Sequence, residues 1–224
     1  MAEKRVIVGI VGYSAVVDSY PLGPKLMEEL EVAFAEYPEV VVENFTWSPV
    51  HIVQRFQDGG LERPDRIILV GLAAETRSPG TIATYRWLGG HQDEAKVQER
   101  VYEAVTGIVD LENTLMIGSY FSVWPDECMT VEADVAPDTF GRLVMAENEN
   151  RATEEKLTVE LGFSPTKMRA GLVSATVALA LKGEVVQNLN LKDKTADMLF
   201  IGSAHRPAGE RGRPSARTPL TGRA

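Results

Sequence analysis

The chain has 224 residues, 44% of them hydrophobic and 25% charged, which suits a single domain with a sizeable core. A formal net charge of -9 disfavours nucleic acid or an anionic membrane as the main partner, and no apolar run approaches the roughly 20 residues of a membrane span. A single cysteine, Cys128, excludes an internal disulfide framework and a cysteine-based zinc site.

The opening "MAEKRVIVGIVG" passes from charge straight into a short apolar run with no small-residue cleavage site behind it. No secretory signal is expected, and the protein is expected in the cytoplasm. Val- and Ile-rich runs at 6–11, 40–45, 67–70 and 129–135, bounded by Gly, Pro and Asp, predict strands covered on both faces. Between the first two, Leu22, Leu26, Leu30, Ala33 and Phe34 recur at helical spacing with Pro24 in the first turn, so 22–37 predicts an amphipathic helix. "SPVHIVQRF" predicts a short helix with Ser48 as N-cap and Pro49 at the first helical position.

Farther along, "SPGTIATYRWLGG" predicts a turn and then a strand. Residues 93–105 and "VDLENTLMIGSYF" predict two further helices. The polar stretch 138–158, with "MAENENRATEEK" at its centre, is expected as an exposed insertion or a charged helix face. At "GFSPTKMRAGLVSATVALAL", Ser164 and Pro165 open a helix apolar enough to lie buried against a sheet.

Strands alternating with helices predict an α/β protein: a three-layer sandwich with a largely parallel, twisted sheet in one domain spanning 1–203. The tail, 204–224, has five arginines against Glu210 and almost no aliphatic residues, and it is expected to be a disordered basic segment. Ligands of such sheets bind beyond the carboxyl ends of the strands, which places the loops at 12–21 and 71–79 on the working edge.

The first of these loops lies in "GIVGYSAVVDSYPLG". Gly9 and Gly12 match neither the dinucleotide fingerprint nor the phosphate loop, whose glycines or lysine must let backbone amides approach phosphate. Asp18 reads either as a loop or cap residue or as a carboxylate facing a cleft. His51, His91 and His205 include no pair at the spacing that sets two imidazoles on one helix face, and no GxSxG elbow supports a serine triad. Trp47 and Trp124, each beside a proline, read as packed loop-edge aromatics or as a contact surface. Cys128 reads as a small buried hydrophobe.

The order of these landmarks resembles the nickel-iron hydrogenase maturation peptidases over about residues 5–182. The landmarks are the strand ending at Gly12, the loop through Asp18 to Gly23, "RPDRIILVG", "SPGTI", and "LGFSPTKMRAGLVSA" before the last helix. The resemblance implies a compact α/β fold of phosphorylase/hydrolase-like architecture. It implies an endopeptidase that removes a C-terminal peptide from the nickel-loaded hydrogenase large-subunit precursor, which is then the partner. The family's nickel-contacting positions correspond to Ser19, Gly71 and Gly107, where this chain lacks the usual acid, Asp and His. No metal ligands are therefore assigned, no cofactor is expected to be permanently bound, and nickel is expected to be sensed through the substrate. Asp18 is the implied catalytic residue, and Tyr13, Ser19, Trp47 and His51 are the implied substrate contacts. The replaced ligands also imply a second function, a non-catalytic member that binds or inspects the precursor.

Overall fold

The run at 6–11 has an apolar side chain at every position except Gly9, and it forms β1 (Val6–Val11), buried along its whole length. A strand buried on both faces must lie inside a sheet, and the computed structural model, which describes residues 4–73, 78–107, 109–182 and 191–203, places it between β2 (Val40–Phe45) and β3 (Arg66–Ala73). The remaining strands are β4 (Ile82–Trp87), β5 (Glu127–Asp134) and β6 (Leu191–Lys194), and the sheet order is β2-β1-β3-β5-β4-β6. β1 pairs in parallel with β2 and β3, and β3 with β5. β4 runs antiparallel to β5, and β6 follows β4 in parallel.

The reversal at β4 has a local cause. A parallel return needs a crossover of a dozen or more residues, usually a helix, and the segment between β3 and β4 is too short to supply one. Gly80 makes the turn at φ +95°, and its N–H donates to the Asp134 carbonyl at 2.8 Å, locking the start of β4 to the end of β5.

Helices cover both faces. On one face α1 (Pro24–Ala33), α5 (Thr139–Asn148), α6 (Glu154–Leu161) and α7 (Pro165–Lys182) bury Leu26, Leu30, Leu143, Leu157, Leu172 and Leu179 against Val8, Ile10, Ile68, Val70 and Val131. On the other, α2 (Pro49–Gln57), α3 (Glu94–Val105), α4 (Leu111–Tyr120) and α8 (Ala196–Ser203) meet Ile7, Val11, Ile67, Leu69 and Cys128 through Ile52, Val97, Leu115, Ile117 and Leu199. The odd and even positions of β1 thus feed separate cores, as the two-residue period of a strand requires. The expected three-layer α/β sandwich is what the chain adopts.

Several expectations are refined. The stretch 138–158, expected as an exposed insertion or a charged helix face, carries α5 and most of α6, whose Leu143, Ala146 and Leu157, with Leu161 just beyond, are part of the first core. Its charge density hides an apolar repeat of only two buried positions per helix. Trp124 packs inward, its indole N–H donating to the Leu115 carbonyl at 3.0 Å; a Cβ on Gly118 would lie 2.1 Å from that ring. Cys128 is buried, and burial pushes its thiol pKa well above the ordinary range, as fits a small inert hydrophobe. β6 and α8 are elements that the sequence pattern does not predict. Among the described residues no helix is long and apolar enough to cross a membrane. The tail at 204–224, with His205, lies outside the described residues.

Candidate functional site

The loop after β1 is held by apolar anchors at alternate points. Gly12 turns the chain at φ +78°, and the Ser14 N–H closes the neck on the Leu22 carbonyl at 3.3 Å. Val17, Tyr20 and Leu22 then point into the core, and two short bonds, Tyr20 N–H to Val17 O at 3.1 Å and Gly23 N–H to Tyr20 O at 3.0 Å, fold the chain between them. With residues 17 and 20 facing inward, Asp18 and Ser19 are left to face out.

The two side chains have different fates. Asp18 is exposed and has no hydrogen bond or ion pair among the described residues. Ser19 donates twice to one carboxylate oxygen of Glu147 on α5, from its N–H at 3.0 Å and from its hydroxyl at 2.8 Å. Both border a cleft of about 500 Å³ whose wall also includes Lys25 of α1, Glu147, Glu154 of α6 and Arg169 of α7.

Much of the charge in this cleft is already committed. The Arg169 guanidinium donates to Glu29 at 2.7 Å. Glu154 accepts from the Ser164 hydroxyl, from the Thr166 hydroxyl at 2.8 Å and from the Thr166 N–H at 3.3 Å. Burial opposes ionisation of Glu154, but these hydrogen bonds outweigh it and hold its carboxyl below the usual carboxylate range. Asp18 and Lys25 are the charges on the wall that no side chain of the described residues engages.

The other implied contacts lie elsewhere. Trp47, 61% exposed, stacks at a tilt on His51 with ring centroids 5.6 Å apart, at the start of α2 on the opposite helical layer. Tyr13 links the two regions: its ring packs against the first core and its carbonyl accepts from Thr46 at 3.4 Å. The five implied residues therefore form two groups, Asp18 and Ser19 in the cleft and Trp47 with His51 at the rim, with Tyr13 between them.

The positions corresponding to nickel contacts do not fit a metal ion. Ser19 is engaged by Glu147, and Gly71 backs onto Leu111, where an added Cβ would sit 3.2 Å from the leucine Cβ. Gly107 turns the chain at φ +96° after α3 and offers no donor side chain. Among the described residues no three His, Cys, Asp or Glu side chains meet in a group able to hold a metal ion. His91 stands exposed before α3, and Asp110 is spent capping α4, where it accepts from the Asn113 N–H at 2.7 Å.

Glu147, Lys25 and Arg169 were not anticipated as site residues. Ser19 and Glu147 are 128 positions apart, so no local spacing connects them. The Ser19–Glu147 pair is also a poor nucleophile and base. Among the described residues no imidazole touches the serine hydroxyl to act as a general base, and Glu147 accepts from the Ser19 N–H as well as from the hydroxyl. The arrangement is suited to holding a ligand.

No protein-family model matches the chain, and no curated protein is similar to it. Among solved structures, the solution structure of an endopeptidase from Escherichia coli is similar at a TM-score of 0.36 and 14% sequence identity, covering 70% of this chain and 93% of that one. So shallow a likeness assigns neither a family nor an activity.

Proposed function

We propose that the chain is a polypeptide-binding protein, a non-catalytic counterpart of the hydrogenase maturation peptidases that holds or inspects a hydrogenase large-subunit precursor. One observation carries this reading. The loop to which the resemblance assigns metal contact spends Ser19 on an internal bond to Glu147, while Asp18, beside an open cleft, is engaged by no side chain of the described residues. A volume of about 500 Å³ falls in the range of ligand sites, and a wall of mixed charge and short apolar surface suits a few residues of polar polypeptide. In this reading nickel belongs to the precursor and is sensed through the shape it gives the bound segment.

The test is incubation of the purified full chain with nickel-loaded large-subunit precursor, followed by intact mass and co-purification. Stable co-purification at unchanged precursor mass is expected. Loss of one defined C-terminal peptide would replace this reading with the endopeptidase reading, and neither retention nor cleavage would remove the precursor as partner.

A further inference from the structure

We propose that Glu147 is a positioning residue for the cleft, holding the first loop so that the Asp18 carboxylate faces the bound segment; this rests on the reading of the cleft as the polypeptide site. Both donors of Ser19, the N–H at 3.0 Å and the hydroxyl at 2.8 Å, converge on the same Glu147 oxygen. Two turns earlier on the same helix, Phe140 packs edge-on against Tyr20, with centroids 5.2 Å apart and ring planes at 81°. Residues 140 and 147 lie on one face of a helix, so α5 grips two consecutive loop residues with two side chains.

What this grip controls follows from the loop itself. Among the described residues Asp18 has no side-chain partner, so the backbone on either side sets its direction. On the N-terminal side, Val17 is fixed in the core at 1% exposure. On the C-terminal side Ser19 is held directly by Glu147 and, one residue on, by the Tyr20 N–H bond to the Val17 carbonyl that closes the turn. Without that carboxylate the Ser19 N–H loses its acceptor, and the peptide between residues 18 and 19 is restrained only by the turn bond from the Tyr20 N–H to the Val17 carbonyl, so it gains freedom to rotate. Asp18 then samples directions away from the cleft, and the ordering cost moves to the binding step. Glu147 itself borders the cleft, and its positioning effect passes through Ser19 to Asp18.

The variants Glu147→Ala, Glu147→Gln and Asp18→Asn separate this role from a general contribution to stability. An amide oxygen accepts both Ser19 donors, so Glu147→Gln keeps the geometry and removes the charge. Two readouts are taken on the full chain: amide hydrogen exchange at residues 18 and 19 in the free protein, and retention of the nickel-loaded precursor. Glu147→Ala is expected to speed exchange at Ser19 by about tenfold or more and to weaken retention to the level of Asp18→Asn. Glu147→Gln is expected to restore both, and Asp18→Asn to weaken retention with Ser19 exchange unchanged.

Exchange at Ser19 that is the same in Glu147→Ala as in the parent overturns the proposal. So does faster exchange accompanied by parental retention, or failure of Glu147→Gln to rescue. Absence of any retention by the parent chain sinks the precursor reading alone, and exchange at Ser19 still decides whether Glu147 sets the loop.

Discussion

The guanidinium of Arg66, at the first position of β3, donates to the carbonyl of Leu179 at 2.9 Å and to that of Ala180 at 2.8 Å, in the final turns of α7. The same group meets Glu127 at 2.7 Å. One buried cation thus satisfies carbonyls at the negative end of a long helix and ties that helix to two strands. Arg66→Ala strands these acceptors and is expected to cost about 2–4 kcal/mol of stability in urea denaturation. Arg66→Lys, a point charge without the planar fork, is expected to fall between the two.

Lys194 on β6 places its ammonium 2.9 Å from each carboxylate oxygen of Glu132 on β5, and both side chains are almost wholly buried. The Thr130 hydroxyl adds a bond of 2.6 Å to Glu132, and the ammonium lies 4.8 Å from the centre of the Tyr85 ring. Removing one member leaves a buried charge without its partner. Lys194→Met is expected to cost about 3–5 kcal/mol, and the double variant with Glu132→Leu to recover most of it. Denaturation midpoints at constant slope make the comparison.

Burial pushes the Tyr20 phenol from 10.0 up to about 12. The folded-state pKa is raised, so the contribution of the neutral phenol is complete below 10.0 and is lost as pH rises through the window to about 12. Stability is expected to fall across that window, and Tyr20→Phe to flatten this part of the profile. Denaturation at a series of alkaline pH values reads the difference.

Trp47 is 61% exposed and touches His51 at the rim. Trp47→Ala is therefore expected to change stability by no more than about 0.5 kcal/mol. A precursor segment running from the cleft past Tyr13 would cover the indole, so the same variant is expected to weaken precursor retention. Loss with Asp18→Asn and none with Trp47→Ala would confine the bound segment to the α5–α7 side.

How far the sequence could be read depended on whether a feature was local. The Val and Ile runs of β1 and β3 announce strands because both their faces are buried, and Pro24, Pro49 and Pro165 mark helix starts that α1, α2 and α7 keep. The direction of β4 also follows from a local fact, the short link before it, but its place beside β5 does not. α5 and α6 were obscured because surface acids outnumber the few leucines that hold them down. β6, with the sequence Leu-Lys-Asp-Lys, has no strand pattern, and it is held where it is by pairing with β4 and by an ion pair to a residue 62 positions upstream. In the cleft, Val17 and Tyr20 as inward anchors make the exposure of Asp18 intelligible afterwards. The Ser19–Glu147 bond depends on where α5 is packed, which no spacing in the loop encodes.

The burial of Glu132 also has a consequence for the order of assembly. A ribosome delivers β5 long before β6, so for 62 residues of synthesis the Glu132 carboxylate exists without its cation. A carboxylate buried without that cation keeps only the Thr130 hydroxyl as a partner, so it favours staying in water. The β5–β4 half of the sheet is therefore not expected to close while the chain is still emerging, whereas β1, β2 and β3, on the far side of β5 from β6, wait only for α7, whose Leu179 and Ala180 carbonyls take the Arg66 guanidinium. Nascent chains released after α7 but before Lys194 should show a protected β2-β1-β3 core and a labile β4, with full protection arriving when β6 docks.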